Sequence, residues 1–215
     1  MFMENNWPSE QLFILGGFRF PGLKARPSIA HTKEKAKNQI VVAFSILTCE
    51  IKEMLRLLYD AFNKEELDVV ILLKSHPCTP VESIAKKMKL PLNPKVFQFT
   101  SQKLEDIVPQ SKGMVVKESS SAFWGIQYEL PIIVPLLYSI VDLSPLSKVS
   151  AIPRYVKNVE ELFLAVKEIF ENGENVDSQS YQKFFNAYLD IYPDESQYYD
   201  NLINATARHQ EVIPR

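Results

Sequence analysis

The sequence predicts an α/β fold in which helices cover both faces of a doubly wound, parallel β-sheet. From residue 39 onward, short apolar runs alternate with amphipathic helical patterns, as in right-handed βαβ units. The apolar runs are rich in Val and Ile, as strands buried on both faces are. The chain is 46% hydrophobic and 23% charged, with a net charge of −2, which is typical of a globular domain.

Six strands of the sheet domain and seven helices are expected along the chain. The apolar runs that predict the strands are residues 39–46, 68–73, 95–99, 114–116, 131–134 and 149–152. Apolar residues at helical spacing predict helices over 48–62, 80–88, 104–108, 122–130, 158–170, 178–191 and 194–208.

Three of these helices begin with a predicted cap. Thr48 is expected to cap the first helix. Thr79 and Glu82 form a capping-box pattern, with a proline between them at the first helical position. Asn158 and Glu161, three residues apart, are expected to cap the helix that runs to residue 170.

The pattern divides the chain into three parts. Residues 38–172 are the sheet domain, residues 1–37 hold a short strand at 12–15 and a basic linker, and residues 173–215 are an extension of two helices. Seven Tyr and Phe residues crowd into positions 181–199. They either cover the sheet edge or form a contact surface for another domain or a second copy of the chain.

Several classes of protein are excluded by composition. Two cysteines indicate a reducing compartment in which thiols serve as small core residues. No apolar window reaches a membrane span, no signal peptide is recognisable, and the near-neutral charge argues against nucleic-acid binding. The three histidines lack metal-ligand spacing. We expect a cytoplasmic protein without a metal, with weak attraction of the basic linker to the inner face of the membrane left open.

Polar residues follow the second predicted strand. Ligands of open parallel sheets bind at the carboxyl ends of the strands, which is where Lys74, Ser75, His76 and Pro77 fall. An imidazole N–H can donate to a phosphate oxygen, and Lys74 adds positive charge. A loop histidine without a ligand is an equally weighted alternative.

A run of three serines follows the fourth predicted strand. Ser119, Ser120 and Ser121 open a helix, where hydroxyls and backbone N–H groups can bind an anion. An ordinary helix cap is the alternative. Glu118 would repel a phosphate, so it is expected to contact a sugar or ribose hydroxyl instead.

These motifs resemble the carboxyl-terminal, donor-binding half of two-domain, GT-B type glycosyltransferases of bacterial surface-carbohydrate synthesis. The matching residues are His76-Pro77, Ser119–Ser121 and the segment Glu129–Val134, in which Glu-Leu stands where the family commonly has Gly-Lys. The turn Gly16–Phe20 resembles the one that ends the first domain. His-Pro and Ser-Ser motifs are similar to those of bacterial sialyltransferases and teichoic-acid glycerophosphotransferases.

The resemblance implies a Rossmann-like fold and assigns roles to residues. His76 would bind the nucleotide phosphate and neutralise charge as the nucleoside phosphate leaves, which makes it the catalytic candidate. The serines would hold that phosphate, the edge at Phe99 and Thr100 would meet the base, and Glu118 would contact the ribose or sugar. The full set of expected donor-nucleotide residues is Lys74, His76, Pro77, Phe99, Thr100, Glu118, Ser119, Ser120 and Ser121.

The resemblance also implies a substrate and a partner. The donor would be a CMP-activated sugar first and a UDP-activated sugar second, bound as substrate, with no cofactor. The general base would lie in an amino-terminal acceptor domain, of which residues 1–37 would be the end, with the remainder on another chain or in a homodimer. Whether this chain is itself an active enzyme stays open. A non-catalytic Rossmann- or flavodoxin-like interaction module and a sugar-nucleotide epimerase relative are the alternatives.

Overall fold

Six parallel strands form one sheet in the computed structural model, which describes residues 37–64, 67–117, 119–137, 146, 152–171 and 176–188. The order across the sheet is β3-β2-β1-β4-β5-β6. The strands are β1 (Gln39–Ala43), β2 (Val70–Lys74), β3 (Phe97–Thr100), β4 (Gly113–Val116), β5 (Ile132–Pro135) and β6 (Pro153–Val156). The predicted α/β, doubly wound parallel sheet is therefore confirmed.

Helices cover both faces of this sheet. They are α1 (Thr48–Phe62), α2 (Val81–Met88), α3 (Leu104–Ile107), α4 (Ala122–Gln127), α5 (Val159–Glu171) and α6 (Ser178–Tyr188), with a 3-10 turn at Val108–Gln110. Side chains alternate between the faces of a strand, and β1 shows this directly. Ile40 and Val42 pack into the larger core cluster with α1, α2 and α5, whereas Val41 packs with Ile107 and Leu130 on the other face.

Two strands differ by three residues or more from their predicted ranges, and the other four differ by one or two. β1 ends at Ala43 rather than at residue 46, and Ile46 is 52% exposed because the chain leaves the sheet after the strand. The sixth strand begins at Pro153, whereas the apolar run predicted residues 149–152, of which 149–151 lie outside the described part. A proline fits at Pro153 because it is the first residue of an edge strand.

The predicted cap of α1 is wrong. Thr48 is already the first helical residue, and the N-cap position is occupied by Leu47, which has no side-chain acceptor. The Ser45 hydroxyl takes over part of that role by accepting the Leu47 N–H at 3.3 Å. Its position two residues upstream places the serine beside the first turn of the helix.

The predicted capping box of α2 is also wrong, whereas the predicted cap of α5 is confirmed. Ser75, not Thr79, accepts the Val81 N–H, at 3.0 Å, and the proline occupies the N-cap position rather than the first helical one. At α5, Asn158 Oδ1 accepts the Glu161 N–H at 2.8 Å, and the Glu161 carboxylate accepts the Lys157 N–H at 2.8 Å.

The expectation that the cysteines serve as core residues is wrong, because Cys49 and Cys78 are both exposed free thiols.

The first carboxyl-terminal helix is confirmed as α6, and two of its aromatic residues, Tyr181 and Phe184, are buried. The predicted strand at 12–15, the linker, the helix at 194–208 and the aromatic residues beyond 188 lie outside the described residues. Within the described part of the chain, no helix is long and apolar enough to cross a membrane.

Candidate functional site

A cavity of about 370 Å³ opens at the carboxyl ends of β1 and β2. Its walls come from the end of β1, the segment after β2, the start of α3 and the start of α4. In this strand order the chain reverses its direction of winding between β1 and β4, and open α/β sheets bind ligands beside that point. The residues that line it include Lys74, Ser75, His76, Pro77, Glu105, Ser121 and Trp124.

The half-buried His76 is fixed at the mouth of this cavity by its own loop. Its Nδ1 accepts the backbone N–H of Cys78 at 3.2 Å, and its carbonyl oxygen accepts the Thr79 N–H at 3.0 Å. Because Nδ1 acts as an acceptor, the proton of the neutral ring sits on Nε2. The loop therefore presents His76 as a hydrogen-bond donor through Nε2.

Lys74 adds a positive charge to the same wall. It is the last residue of β2 and lies opposite Ala43 of β1 in the parallel register. Its ammonium donates to the Ser101 carbonyl oxygen at 3.3 Å, which uses one of its three N–H groups. A carbonyl contact orients the ammonium without neutralising its charge.

Two of the three serines, Ser119 and Ser121, bond to each other. The Ser119 hydroxyl donates to the Ser121 hydroxyl at 2.9 Å and accepts the Ser121 N–H at 3.1 Å. The backbone N–H groups of residues 122–124 donate to the carbonyls of the three serines, each at 3.1 Å. Of the three, only Ser121 lines the cavity. An anion that binds the Ser121 hydroxyl would have to replace its hydrogen bond with Ser119.

The other predicted site residues lie outside the cavity. Phe99, 38% exposed, and Thr100 are on β3 and do not line it. The Thr100 hydroxyl accepts the Gln102 N–H at 3.1 Å. Ser119 and Ser120 also lie outside the lining, and Glu118 falls outside the described residues. The structure thus brings together Lys74, His76, Pro77 and Ser121, and the ligand roles of all nine residues stay predictions.

Sequence reasoning missed a buried ion pair beside this site. Lys117 follows β4 and Glu50 lies in the first turn of α1, and their side chains are only 6% and 8% exposed. The Lys117 ammonium lies 2.8 Å from Glu50 Oε1, and the Ser45 hydroxyl donates to Glu50 Oε2 at 2.7 Å. The lysine directly after a fully buried strand was the available signal. The position of Glu50 gave no signal of the pair, because acidic residues are common in the first turn of a helix.

The pair holds together the elements that form the winding reversal. Ser45 follows β1, Lys117 follows β4, and Glu50 bonds to both. A buried charge is costly unless it is paired and hydrogen-bonded, and here both carboxylate oxygens are satisfied. The cluster fixes the backbone beside the cavity, and its polar groups are engaged within the protein.

The wall of the cavity at the start of α3 carries one acid and one base. Glu105 and Lys103 both line the cavity and pair with each other at 3.2 Å. Burial, with smaller contributions from Glu105 and Asp106, raises the pKa of Tyr128 above its ordinary value. Tyr128 packs with Trp124 against the core of that face. Trp124 therefore gives the cavity an apolar surface beside a paired acid and base.

The turn after α4 shows how the departure from the family's Gly-Lys is accommodated. Glu129 has a φ of 50°, in the left-handed region that favours glycine, and is 5% exposed. Its carboxylate accepts the Ser178 hydroxyl of α6 at 2.8 Å, and the Tyr181 hydroxyl donates to the Leu130 carbonyl at 2.7 Å. Helix α6 thus supports the turn that ends α4.

Comparisons with known proteins identify solved structures that share this architecture. No model of a known protein family matches the chain, and no curated protein matches it in sequence. A Listeria monocytogenes structure assigned as a UDP-N-acetylglucosamine 2-epimerase has a TM-score of 0.56 at 12% identity, covering 99% of this chain and 57% of its own. S. aureus MnaA in its UDP complex has a TM-score of 0.53 at 15% identity, covering 98% and 58%. The calicheamicin glycosyltransferase has a TM-score of 0.54 at 10% identity, covering 94% and 46%.

These likenesses show the fold. The chain has the Rossmann-like fold found in glycosyltransferase and UDP-N-acetylglucosamine 2-epimerase structures, as the GT-B resemblance implied. It spans 57% and 58% of the length of the Listeria and S. aureus structures. The relation to sialyltransferases and glycerophosphotransferases stays a prediction. Among the described residues, no group of three His, Cys, Asp and Glu side chains could hold a metal ion.

Proposed function

We propose that residues 38–172 bind the nucleotide of a nucleotide-sugar donor in the cavity at the ends of β1 and β2, as the donor half of a glycosyltransferase of surface-carbohydrate synthesis. One observation carries the proposal. His76, through Nε2, and Lys74 meet at a cavity beside the winding reversal, which is where nucleotide ligands bind in this class of sheet. A fold neighbour that holds UDP supports the same chemistry.

The residues of the cavity take complementary parts in this proposal. His76 donates from Nε2 to a phosphate oxygen, and Lys74 supplies a charge that is not cancelled by a carboxylate contact. Such donors act most strongly on charge that grows as the nucleoside phosphate leaves. Ser121 exchanges its contact with Ser119 for one with the phosphate. Glu118, Phe99 and Thr100 keep the sugar and base contacts that the resemblance implies.

The proposed nucleotide is uridine diphosphate, with cytidine monophosphate as the alternative. The sequence resemblance favoured CMP over UDP. We now prefer UDP, because the fold neighbour S. aureus MnaA is solved as a UDP complex. The donor sugar is a substrate, so the proposal requires no resident cofactor. The acceptor and the general base belong to a second domain, in another chain or in a homodimer, and the proposed setting is the cytoplasm.

Calorimetric titration of the full chain tests the proposal. We expect UDP and a UDP-sugar to bind, CMP to bind more weakly, and ADP not to compete. His76→Ala should weaken UDP about tenfold or more, the loss expected for one charge-assisted hydrogen bond. Lys167→Ala on α5 is the matched control and should leave UDP binding unchanged. Absence of binding by every uridine and cytidine nucleotide at millimolar concentration would contradict the proposal and favour an interaction module.

An epimerase function is the second candidate. Of the three solved structures described above, the one assigned as a UDP-N-acetylglucosamine 2-epimerase has the highest TM-score. Incubating the chain with UDP-N-acetylglucosamine and following C2 by NMR separates the two functions. Inversion at C2 without an acceptor supports the epimerase, and binding without inversion supports the donor-binding role.

A further inference from the structure

A second concave surface lies between α1 and α2. It encloses about 580 Å³ and shares no lining residue with the cavity that contains His76. Lys52 and Arg56 line it from α1, Ser83 and Lys87 line it from α2, and the buried Ile84 lies at its floor. We call the surface lined by these residues the α1–α2 groove.

Three cations face this groove without a counter-ion. Lys52, Arg56 and Lys87 are exposed, and none of them forms an ion pair within the part of the chain that the structure describes. No acidic residue is among the described residues that line the groove. The whole chain carries a net charge of −2, so this concentration of positive charge is local. An unbalanced positive cleft attracts anions.

Two of the four acids on α1 and α2 pair with other residues, and the remaining two, Glu53 and Asp60, do not line the groove. Glu82 on α2 pairs with Lys86 at 2.9 Å, and Glu50 on α1 pairs with the buried Lys117. Lys52 and Arg56 are four residues apart, an arrangement in which like charges destabilise a helix. This unfavourable arrangement becomes favourable once an anion lies between the helices.

The shape of the groove indicates an extended ligand. Lys52 and Arg56 are separated by one turn of α1, about 6 Å along the axis, and Ser83 and Lys87 are separated by the same rise on α2. Charges spaced along two facing walls suit a linear ligand with several anionic groups. The hydroxyls of Ser83 and Thr48 can donate to the oxygens of such a ligand.

We propose that the α1–α2 groove binds a linear, phosphate-bearing chain that is neither a nucleic acid nor a lipid surface. None of the described residues that line the groove is aromatic, so nucleobases would find no stacking platform. Of its apolar lining residues, Ile84 is 8% exposed, Met88 is half-buried and Pro80 is exposed, so the groove presents no large exposed apolar side chain for insertion into a bilayer. Phosphate groups match the three cations and the hydroxyls.

Calorimetric titration of the full chain with inorganic tripolyphosphate tests this proposal. The triple variant Lys52→Ala/Arg56→Ala/Lys87→Ala should bind tripolyphosphate about tenfold more weakly than the parent chain. The charge-matched control Lys64→Ala/Lys95→Ala/Lys157→Ala removes three exposed lysines that do not line the groove. It should retain the parent affinity. Raising the salt concentration should weaken binding to the parent, because exposed charges are screened.

Two further measurements separate the groove from the nucleotide cavity. His76→Ala should leave tripolyphosphate binding to the groove intact, and the triple groove variant should leave UDP binding intact. A loss of tripolyphosphate affinity that is equal in the charge-matched control would overturn the proposal. So would groove-dependent binding of phosphatidylglycerol vesicles or of a single-stranded oligonucleotide that exceeds binding of tripolyphosphate.

Discussion

Two polar clusters lie side by side at the carboxyl edge of the sheet, and they differ in how completely their groups are satisfied. In the closed cluster, Glu50 binds Lys117 and Ser45 with both carboxylate oxygens, and its charged side chains are less than a tenth exposed. In the open cluster, Lys74 and His76 line a cavity of about 370 Å³, half-buried and bonded only to backbone groups.

The difference indicates which polar residues hold the fold and which are available to a ligand. Buried charges without partners are costly, so a cluster like that of Glu50 is stable only when complete. Groups that bond to the backbone through one atom keep other donors free, as His76 keeps Nε2. The closed cluster supports the open cluster, because it fixes the ends of β1 and β4 beside the cavity.

The largest expected effect comes from breaking the closed cluster. Lys117→Met leaves the Glu50 carboxylate buried without its cation and should lower the free energy of unfolding by about 3–5 kcal/mol. Chemical denaturation measures the change. Lys167→Met, which breaks an exposed i,i+4 pair with Glu171, should cost less than about 0.5 kcal/mol. If the two substitutions lower the free energy of unfolding equally, the closed cluster stabilises the fold no more than an exposed ion pair does.

The open cluster should respond in the opposite way. His76→Ala is expected to change the free energy of unfolding by less than about 0.5 kcal/mol, because its ring makes one exposed contact. His76→Asn keeps an acceptor for the Cys78 N–H but cannot donate from the Nε2 position. Both variants should lose UDP affinity to a similar extent. If His76→Asn binds UDP like the parent chain, the loop acceptor rather than Nε2 is the important group.

Glu129 sharpens the comparison, because it is a buried acid held by a hydroxyl in a strained backbone. Glu129→Ala removes the bond to Ser178 and keeps the left-handed φ, so it should cost about 1–3 kcal/mol. Glu129→Gly loses the same bond but relieves the strain, so it should be more stable than Glu129→Ala by about 1 kcal/mol. Thermal unfolding of the two variants measures the difference, and the reverse order would contradict the strain.

A smaller loss than at Glu129 is expected at an exposed pair. Arg154 donates to Glu168 on α5, and this hydrogen bond, with the charge of Arg154, lowers the pKa of the Glu168 carboxyl. A lowered pKa stabilises the fold above the ordinary glutamate pKa, and this contribution is lost as the pH falls through the lowered value. Glu168→Gln should cost less than about 1 kcal/mol near neutral pH and less still in acid. A larger loss in acid than at neutral pH would contradict the assignment.

The sheet could be predicted from the sequence because its inner strands β1, β2, β4 and β5 are almost entirely buried, whereas the edge strands β3 and β6 are partly exposed. The runs at Ile40–Val42 and Ile71–Leu73 have no polar interruption, and parallel pairing follows from the helices between them. The ends of elements were harder to predict. Ser75, rather than Thr79, satisfies the first turn of α2, because the chain folds back after β2 and brings a residue from outside the local pattern to the helix.

The site could be predicted only in part. Lys74 and His76 follow a strand directly, so their position at the ligand edge came from topology. The Glu50–Lys117 pair joins residues 67 positions apart, and the one local signal, a lysine directly after a buried strand, does not identify its partner. The bonds among Ser119 and Ser121 were equally hidden, since a run of hydroxyls does not reveal whether they bond to each other or await an anion.

A crystal structure of the chain with UDP is the most direct test of nucleotide binding at the cavity that contains His76. We expect the nucleotide in this cavity, at the ends of β1 and β2. A phosphate oxygen should lie within hydrogen-bond distance of His76 Nε2, with the ammonium of Lys74 beside it. The contact between Ser119 and Ser121 should be exchanged for one to the phosphate. UDP bound away from this cavity, or present there with His76 turned to solvent, would contradict the account.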